Sequence, residues 1–451
     1  MSKYLDNPQA VRTLVQDDRI HRDVYLNQEI FDLEMEHLHG RSWIYLGHES
    51  QVREPGDYIT AEISGRSLIM VRNTDKSVRV LMNRCAHKGA KVVTERSGNT
   101  GRGFSCPYHA WAYRLDGTLA GVPLRQGYEG TRMNDCESGQ GLVKVKNVKV
   151  YRGFVFFRLS ETGQSFEDYF KGALYALDNM ADRSPEGELE VVGECLRNEI
   201  RCNWKIYLEN INDTVHAPVT HESSAMSAKA VWDEQPEGSP KPLAMELLLP
   251  FAGGVDFAAS MGGRVFPNGH SVLGTNTSLH SNYSAVPEYE EAMVKAYGKE
   301  RAHAILSFAP QNSIFYPSMA VKAAPQTMRV LRPLGPNRML LEVWAFRPKG
   351  TPDVLVQRTL SYNRLVFSPL SVVAHDDIRV FETIQSSVRS PGNDWVSLHR
   401  GFRADELGST DYASDGANEV LMRNQYRGWA KLITESMTQG DGAPFPKAVN
   451  A

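Results

Sequence analysis

The sequence predicts an α+β protein made of a small all-β unit over residues 39–160 and a larger α+β unit over 161–451, with a helical segment at 1–38 packing on the larger unit. Three observations predict it. From "WIYLGHES" to about residue 160, short runs of Val, Ile, Tyr and Phe are punctuated by glycine, the texture of strands and tight turns. Beyond residue 160, helical apolar spacing alternates with longer β-branched runs. The 451 residues are 41% hydrophobic and 23% charged, enough apolar material for two cores.

In chain order, "DRIHRDVYLNQEIFDLEMEHL" (18–38) predicts a helix burying Ile30, Phe31, Leu33, Met35 and Leu38. "SLIMVRN", "VRVLMN", "FSCPYHAWAYRLDG" and "VYRGFVFFRLS" follow as strands and turns of the β unit. Helix returns with "FEDYFKGALYALDNM", and "ELEVVGECLRNEI", "TMRVLRPL" and "RMLLEVWAFRPK" supply longer strands. The stretch 232–242, "WDEQPEGSPKP", predicts an exposed loop; "DIRVFETIQSSV" and "ANEVLMRNQYRGWAKLITESM" predict C-terminal helices.

A net charge of −3 gives no electrostatic footprint for nucleic acid or an anionic membrane. The most apolar run, "LAMELLLPFAGGVDFAASM", is interrupted by Glu246, Pro250 and Asp256, so no membrane span is expected. The N-terminus lacks the basic-then-apolar pattern of a signal peptide. Cys85, Cys106, Cys136, Cys195 and Cys202 are too few for a disulfide framework in so long a chain, and a reducing, cytoplasmic setting is expected.

Two of those cysteines belong to "NRCAHKGAKVVTERSGNTGRGFSCPYHAW" (83–111), where Cys85 and His87, then Cys106 and His109, form CxH and CxxH pairs 18 residues apart. Thiolate and imidazole together suit zinc, iron–sulfur or copper. Structural zinc sites usually pair like ligands on each loop. One Cys and one His per loop suits a [2Fe–2S] cluster in which one iron takes both thiolates and the other both imidazoles. Gly89 and Pro107 are small or rigid residues where backbone must wrap closely.

A second constellation, "NWKIYLENINDTVHAPVTH" (203–221), spaces Asp213, His216 and His221 as DxxHxxxxH. Asp213 and His216 would share a helix face. His216 and His221 would point about 140° apart on an unbroken helix. Pro218 disfavours that helix, and a bend at 217–219 could converge both rings on one ion. Taken alone, two histidines in a polar stretch are more often surface or core residues than ligands.

"CAHKGA" followed by "CPYHAWAYRLDG" resembles the Rieske signature, with Lys88 and Ala110 standing where Arg and Gly are usual. "ENINDTVHAPVTH" behind it resembles the mononuclear-iron motif of Rieske oxygenases: Glu209, Asn210, Asp213, His216 and His221. The resemblance covers nearly the whole chain and is to the large (α) subunit of aromatic-ring-hydroxylating dioxygenases. It implies a Rieske domain beside a catalytic domain whose antiparallel sheet, flanked by helices in a helix-grip-like fold, encloses a mononuclear Fe(II). It also implies a distant aspartate completing a two-histidine, one-carboxylate triad. In "VVAHDDIRVFETIQ" the family spacing to Glu382 selects Asp377 over Asp376, and His375 is read as non-ligating. Without the resemblance, these acids fit equally well a first helical turn favoured by the helix dipole. Asp213 is left, by resemblance, as the carboxylate between this iron and a Rieske histidine of a neighbouring subunit, which implies a trimer of α subunits, possibly with a small β subunit.

Within the family, "EMEHLHGRSWIYLGHESQV" is similar to the benzoate and anthranilate branch, and "YHAW…GVPLRQGY" to the salicylate 5-hydroxylase and terephthalate branch. Both act on aromatic carboxylic acids. The expected function is therefore addition of O2 to such an acid, in an apolar pocket with one cationic anchor. No GxGxxG loop is present, so electrons from NAD(P)H must come through a separate reductase or ferredoxin. A Rieske monooxygenase or an O-/N-demethylase is the alternative. A pure electron carrier would need only the β unit, and a zinc-stapled binding protein would be colourless.

Overall fold

The computed structural model describes residues 2–136, 139, 141–368 and 371–443. They separate into two units: one holds the chain up to Leu38 together with Gln164–Gly440, the other His39–Gly163 with the segment from Asp441.

The smaller unit is all-β. Strands Val78–Met82, Arg66–Arg72, Asp57–Ile63 and Ser97–Asn99 form a four-stranded sheet in that order. Asn147–Tyr151, Phe154–Arg158 and Ile44–His48 form a second sheet, and Gly103–Ser105, Ala112–Arg114 and Leu119–Gly121 a third. Alternation along Arg66–Arg72 divides its apolar residues between two cores: Ile69 and Val71 pack with Phe104, Trp111 and Tyr113, whereas Leu68 and Met70 pack with Ile44, Val155 and Phe157. The first core is the floor beneath both Cys/His loops. Asp441, at the end of the stretch assigned from sequence to the larger unit, bonds instead to Arg41 and Thr162 of the β unit. Residues 444–451 of that stretch lie outside the described residues.

The larger unit is built on an eight-stranded sheet with every pairing antiparallel. Its order is Leu189–Ile200, Arg338–Pro348, Thr327–Gly335, Met319–Lys322, Asn312–Phe315, Ser271–Leu273, Gly263–Val265 and Tyr412–Ser414. The 20-residue helix Val420–Gln439 packs on strands Gly263–Val265 and Ser271–Leu273, and helix Asp353–Phe367 on Arg338–Pro348. The α+β class with an antiparallel sheet gripped by helices is thus present.

Local boundaries differ from the sequence expectation where side chains cap the backbone. Residues 18–38 are not one helix: Arg19–His21 is a strand paired with Trp395–Ser397, followed by helices Asp23–Leu26 and Gln28–Leu33. The break is Asn27, whose side chain accepts from the backbone N–H groups of Glu29 and Ile30 and starts a new helix. In 232–242, Trp232 and Asp233 still belong to helix Glu222–Asp233. The run Leu243–Ser260 is, by length and composition, apolar enough to cross a membrane, with mean hydropathy 1.3. It is divided into helix Leu243–Leu248, a 3-10 segment Leu249–Gly253 and helix Gly254–Ser260, with Gly254 at φ +66°.

Candidate metal centres

The two Cys/His loops of the β unit share one backbone pattern. Gly89 N–H donates to Cys85 O at 3.0 Å, and Ala110 N–H to Cys106 O at 3.0 Å. Cys85 N–H donates to Ala90 O and Cys106 N–H to Trp111 O, closing each loop on itself. Both turns need a left-handed residue, Gly89 at φ +77° and Ala110 at φ +53°. Asn83 fastens the first loop, accepting from Val92 and Val93 N–H and donating to Val93 O.

Both thiols are buried, whereas His87 is half-buried and His109 exposed, their rings 4.6 Å apart. His87 stacks on Trp111 at 4.8 Å, and its buried Nδ1 has no hydrogen-bond partner. Burial pushes the Cys85 thiol up, but the Tyr113 hydroxyl at 3.0 Å, the backbone N–H groups of His87 and Lys88 and the adjacent Cys106 hold it below its ordinary value. A thiol already biased toward thiolate, a second beside it and an imidazole nitrogen without a partner form a donor set that fits a [2Fe–2S] cluster.

In the larger unit, His216, His221 and Asp377 each bring a donor atom to within 4.8 Å of the others. His221 Nε2 lies 3.4 Å and His216 Nε2 3.8 Å from Asp377 Oδ1. The Asn210 amide nitrogen lies 3.0 Å from His216 Nε2 and donates to Asp377 Oδ1 at 3.1 Å, so both atoms converge on one N–H donor. Two imidazoles and one carboxylate at this separation fit a mononuclear iron of the two-histidine, one-carboxylate type.

The chain reaches this arrangement by a different route from the expected bend. Helix Trp204–Ile211 ends before Asp213, so Asp213 and His216 do not share a helix face. Instead Asp213 caps the turn: its Oδ2 accepts from His216 N–H at 2.6 Å and faces His216 Nδ1 at 2.9 Å. Pro218 lies in the first turn of the four-residue helix Ala217–Thr220, where a missing N–H costs nothing. The break falls at His221 (φ −104°, ψ 17°), between that helix and Glu222–Asp233. Asp376 and Asp377 occupy the second turn of helix Val372–Ser387, whose Ser371 cap fixes its start. His375 is exposed and is not in the group that His216, His221 and Asp377 form.

Each histidine has its own orienting carboxylate: Asp213 for His216, and Asp376, whose Oδ2 faces His221 Nδ1 at 3.2 Å. The role of Asp376 was not read from sequence; the signal available was a second acid beside the candidate ligand. Arg400 closes the other side of Asp213, its Nη2 donating to Oδ1 at 2.5 Å. Burial pushes the Asp213 carboxyl up, but the hydrogen bonds and charge of His216, with Arg400, hold it below the ordinary carboxylate value. Glu209 is farther back, half-buried and bonded by the hydroxyls of Tyr25 and Tyr426.

These donors open on a chamber of about 140 Å³. Ala244, Leu247, Phe251 and Phe257 from the Leu243–Ser260 run form its apolar wall, which explains that run's hydropathy. Lys322, Arg329, His280 and Tyr362 contribute polar groups to the lining.

Residues 42–149 match the Rieske [2Fe-2S] domain, and residues 187–435 match the ring hydroxylating alpha subunit catalytic domain. The chain is 28% identical to benzene 1,2-dioxygenase subunit alpha of Pseudomonas putida over 432 residues, 92% of this chain and 91% of that one. It is 28% identical to the anthranilate 1,2-dioxygenase large subunit of Acinetobacter baylyi over 438 residues, 93% and 90% of the two chains. The solved naphthalene 1,2-dioxygenase from Rhodococcus sp. has the same fold, with TM-score 0.74 at 24% identity over 92% of this chain and 94% of that one. With one Rieske cluster site and one mononuclear-iron domain in a single chain, the protein belongs to the alpha subunits of the Rieske ring-hydroxylating oxygenases.

Proposed function

We propose that this chain is the terminal oxygenase component of a multicomponent dioxygenase that adds O2 to an aromatic carboxylic acid. Cys85, His87, Cys106 and His109 would hold the cluster, and His216, His221 and Asp377 would hold the mononuclear iron. When bound, the cluster supplies single electrons and the mononuclear iron supplies O2 activation. The observation that carries the reading is the apolar chamber opening directly on the two-histidine, one-carboxylate group. Its wall excludes water and receives a flat ring, while Asp213 and Asp376 hold the two imidazoles in one tautomer and orientation.

Electrons come from a separate NAD(P)H-dependent reductase, with or without a ferredoxin. The assembly is a trimer of α subunits in which Asp213 connects to a neighbouring subunit's cluster, with or without a small β subunit. Five free cysteines accord with a reducing, cytoplasmic setting. Anaerobically purified protein should hold about three irons and two acid-labile sulfides per chain. Turnover of benzoate, anthranilate and salicylate under 18O2 should place two labelled atoms on the ring. A single label, or loss of a methyl group from a methoxy- or methylamino-benzoate with the ring untouched, would instead identify a monooxygenase or demethylase.

A further inference from the structure

Two cations line the chamber although both are buried, Lys322 and Arg329 each 4% exposed. They come from adjacent antiparallel strands, Met319–Lys322 and Thr327–Gly335, in which Ala320 pairs with Arg329. Lys322 is two residues beyond Ala320, so both basic side chains rise from one face of the sheet. Lys322 Nζ donates to Gln311 O at 2.8 Å and lies 3.4 Å from His280 Nε2. Arg329 Nη2 donates to Asn312 Oδ1, its guanidinium lies 5.2 Å from the Phe367 ring, and its Nε has no hydrogen-bond partner.

Neither cation forms an ion pair with a carboxylate among the described residues. The other buried cations of this unit are matched: Lys205 with Glu34, Arg332 with Glu342, Arg423 with Glu406, and Arg183 with a ring of backbone carbonyls. Burying a charge without a counter-charge is strongly unfavourable, and two on one wall repel each other. Burial and then Arg329 push the Lys322 ammonium well below its ordinary value, and the charge of an anion placed beside both would oppose that shift. A chamber meant only for neutral hydrocarbon would gain nothing from such a pair.

We propose that Lys322 and Arg329 form an anion subsite that takes the carboxylate of an aromatic acid and so sets which edge of its ring faces His216, His221 and Asp377. The proposal rests on the oxygenase reading above and adds to it the residues that select the substrate. Calorimetric titration of the oxidised holoenzyme with benzoate and salicylate, against benzamide and salicylamide, tests it independently of turnover. The acids should bind at least about tenfold tighter than the amides, the scale expected for a desolvated charge pair. Lys322→Met and Arg329→Met should abolish that preference while keeping the Rieske spectrum and a cooperative melting transition, the loss of one donor to Gln311 O or Asn312 Oδ1 being offset by removal of a buried basic group. If either Met variant fails to fold, Arg329→Lys keeps the charge and should keep a preference for the acids. Equal affinity of the wild type for acids and amides, or a preference surviving in both Met variants, overturns the subsite. Preferred binding of acids without their hydroxylation on reduction and exposure to O2 leaves the subsite standing and removes the oxygenation reading. Hydroxylation of neutral arenes with no binding preference for acids does the reverse.

Discussion

Asp376 and Asp377 are neighbours with the same side chain, and one helical step gives them different work. Asp377 faces both histidine Nε2 atoms, whereas Asp376 reaches the far side of the His221 ring. Asp377→Ala should therefore eliminate mononuclear iron and turnover while leaving the cluster spectrum intact. Asp376→Ala should not be silent: loss of an orienting partner typically weakens metal affinity about 10–100-fold, with Asp376→Asn milder because it still accepts a hydrogen bond. Chelator competition on the three variants ranks them, and equal retention in Asp376→Ala and wild type would remove the orienting role. Glu209 offers a test by pH. Its burial outweighs the two tyrosine hydroxyls and raises its carboxyl from 4.5 to about 7. The folded state thus holds that proton more tightly than the unfolded chain. Its contribution to stability is full below about pH 4.5 and is lost as pH rises to about 7, a loss of a few kcal/mol at most. Glu209→Gln keeps the acceptor Oε1 that both hydroxyls use, so it should flatten this slope and raise the melting temperature at pH 8 relative to wild type.

Turns, rather than helices or strands, carry most of the donors, and each turn has a conformational requirement. Ala110 holds the left-handed position that Gly89 holds in the sister loop, a conformation that costs an L-residue about 1–2 kcal/mol. Ala110→Gly should relieve roughly 1 kcal/mol of that, less the entropy glycine loses on folding, and raise the unfolding midpoint monitored at the cluster band. The Asp213 turn makes the opposite kind of prediction. Asn caps such a turn nearly as well as Asp, so Asp213→Asn should cost little stability and keep much of the iron. It removes the charge facing His216 and Arg400, however. In single-turnover mixing with substrate and O2, reoxidation of the reduced cluster should become very slow. Reoxidation at the parent rate with full product yield would leave Asp213 only the cap.

At the scale of the whole molecule, the N-terminal segment is part of the catalytic unit, and beside the pairing of Arg19–His21 with Trp395–Ser397 one buried carboxylate ties it there. Glu34 accepts from the indoles of Trp204 and Trp429 and pairs with Lys205, all on helices that back the metal site. Glu34→Ala leaves Lys205 buried without a partner, which should cost about 3–5 kcal/mol and lower the melting transition of the catalytic unit. Glu34→Ala with Lys205→Met should recover much of that loss, since an apolar pair of similar volume replaces buried ions at little cost. A melting temperature unchanged in Glu34→Ala would mean the segment is held by other contacts.

The amino-acid sequence by itself determined the donor types of the first site, and only its resemblance to a family turned the second constellation into a metal site. Thiolates and imidazoles at CxH and CxxH spacing, and two histidines behind an acid, are statements about residue identity over short distances, where the chain has little freedom. It determined the class and the long strands too, because burial of alternate side chains leaves a periodic record. Tertiary structure decided everything that depends on residues far apart meeting. Asp377 reaches the histidines across some 160 residues, Asp376 acquires a role from the ring it meets, and Arg400 comes to Asp213 from 187 residues away. The helix break at His221 rather than near Pro218 was also a tertiary outcome, since a proline in a first helical turn is tolerated and the ring must turn toward Asp377. The basic residues of the chamber were the hardest to read, because the chain carries 50 Lys and Arg. Only the sheet register brings Lys322 and Arg329 to one wall, and burial without an acid on the lining of the chamber distinguishes them from the rest.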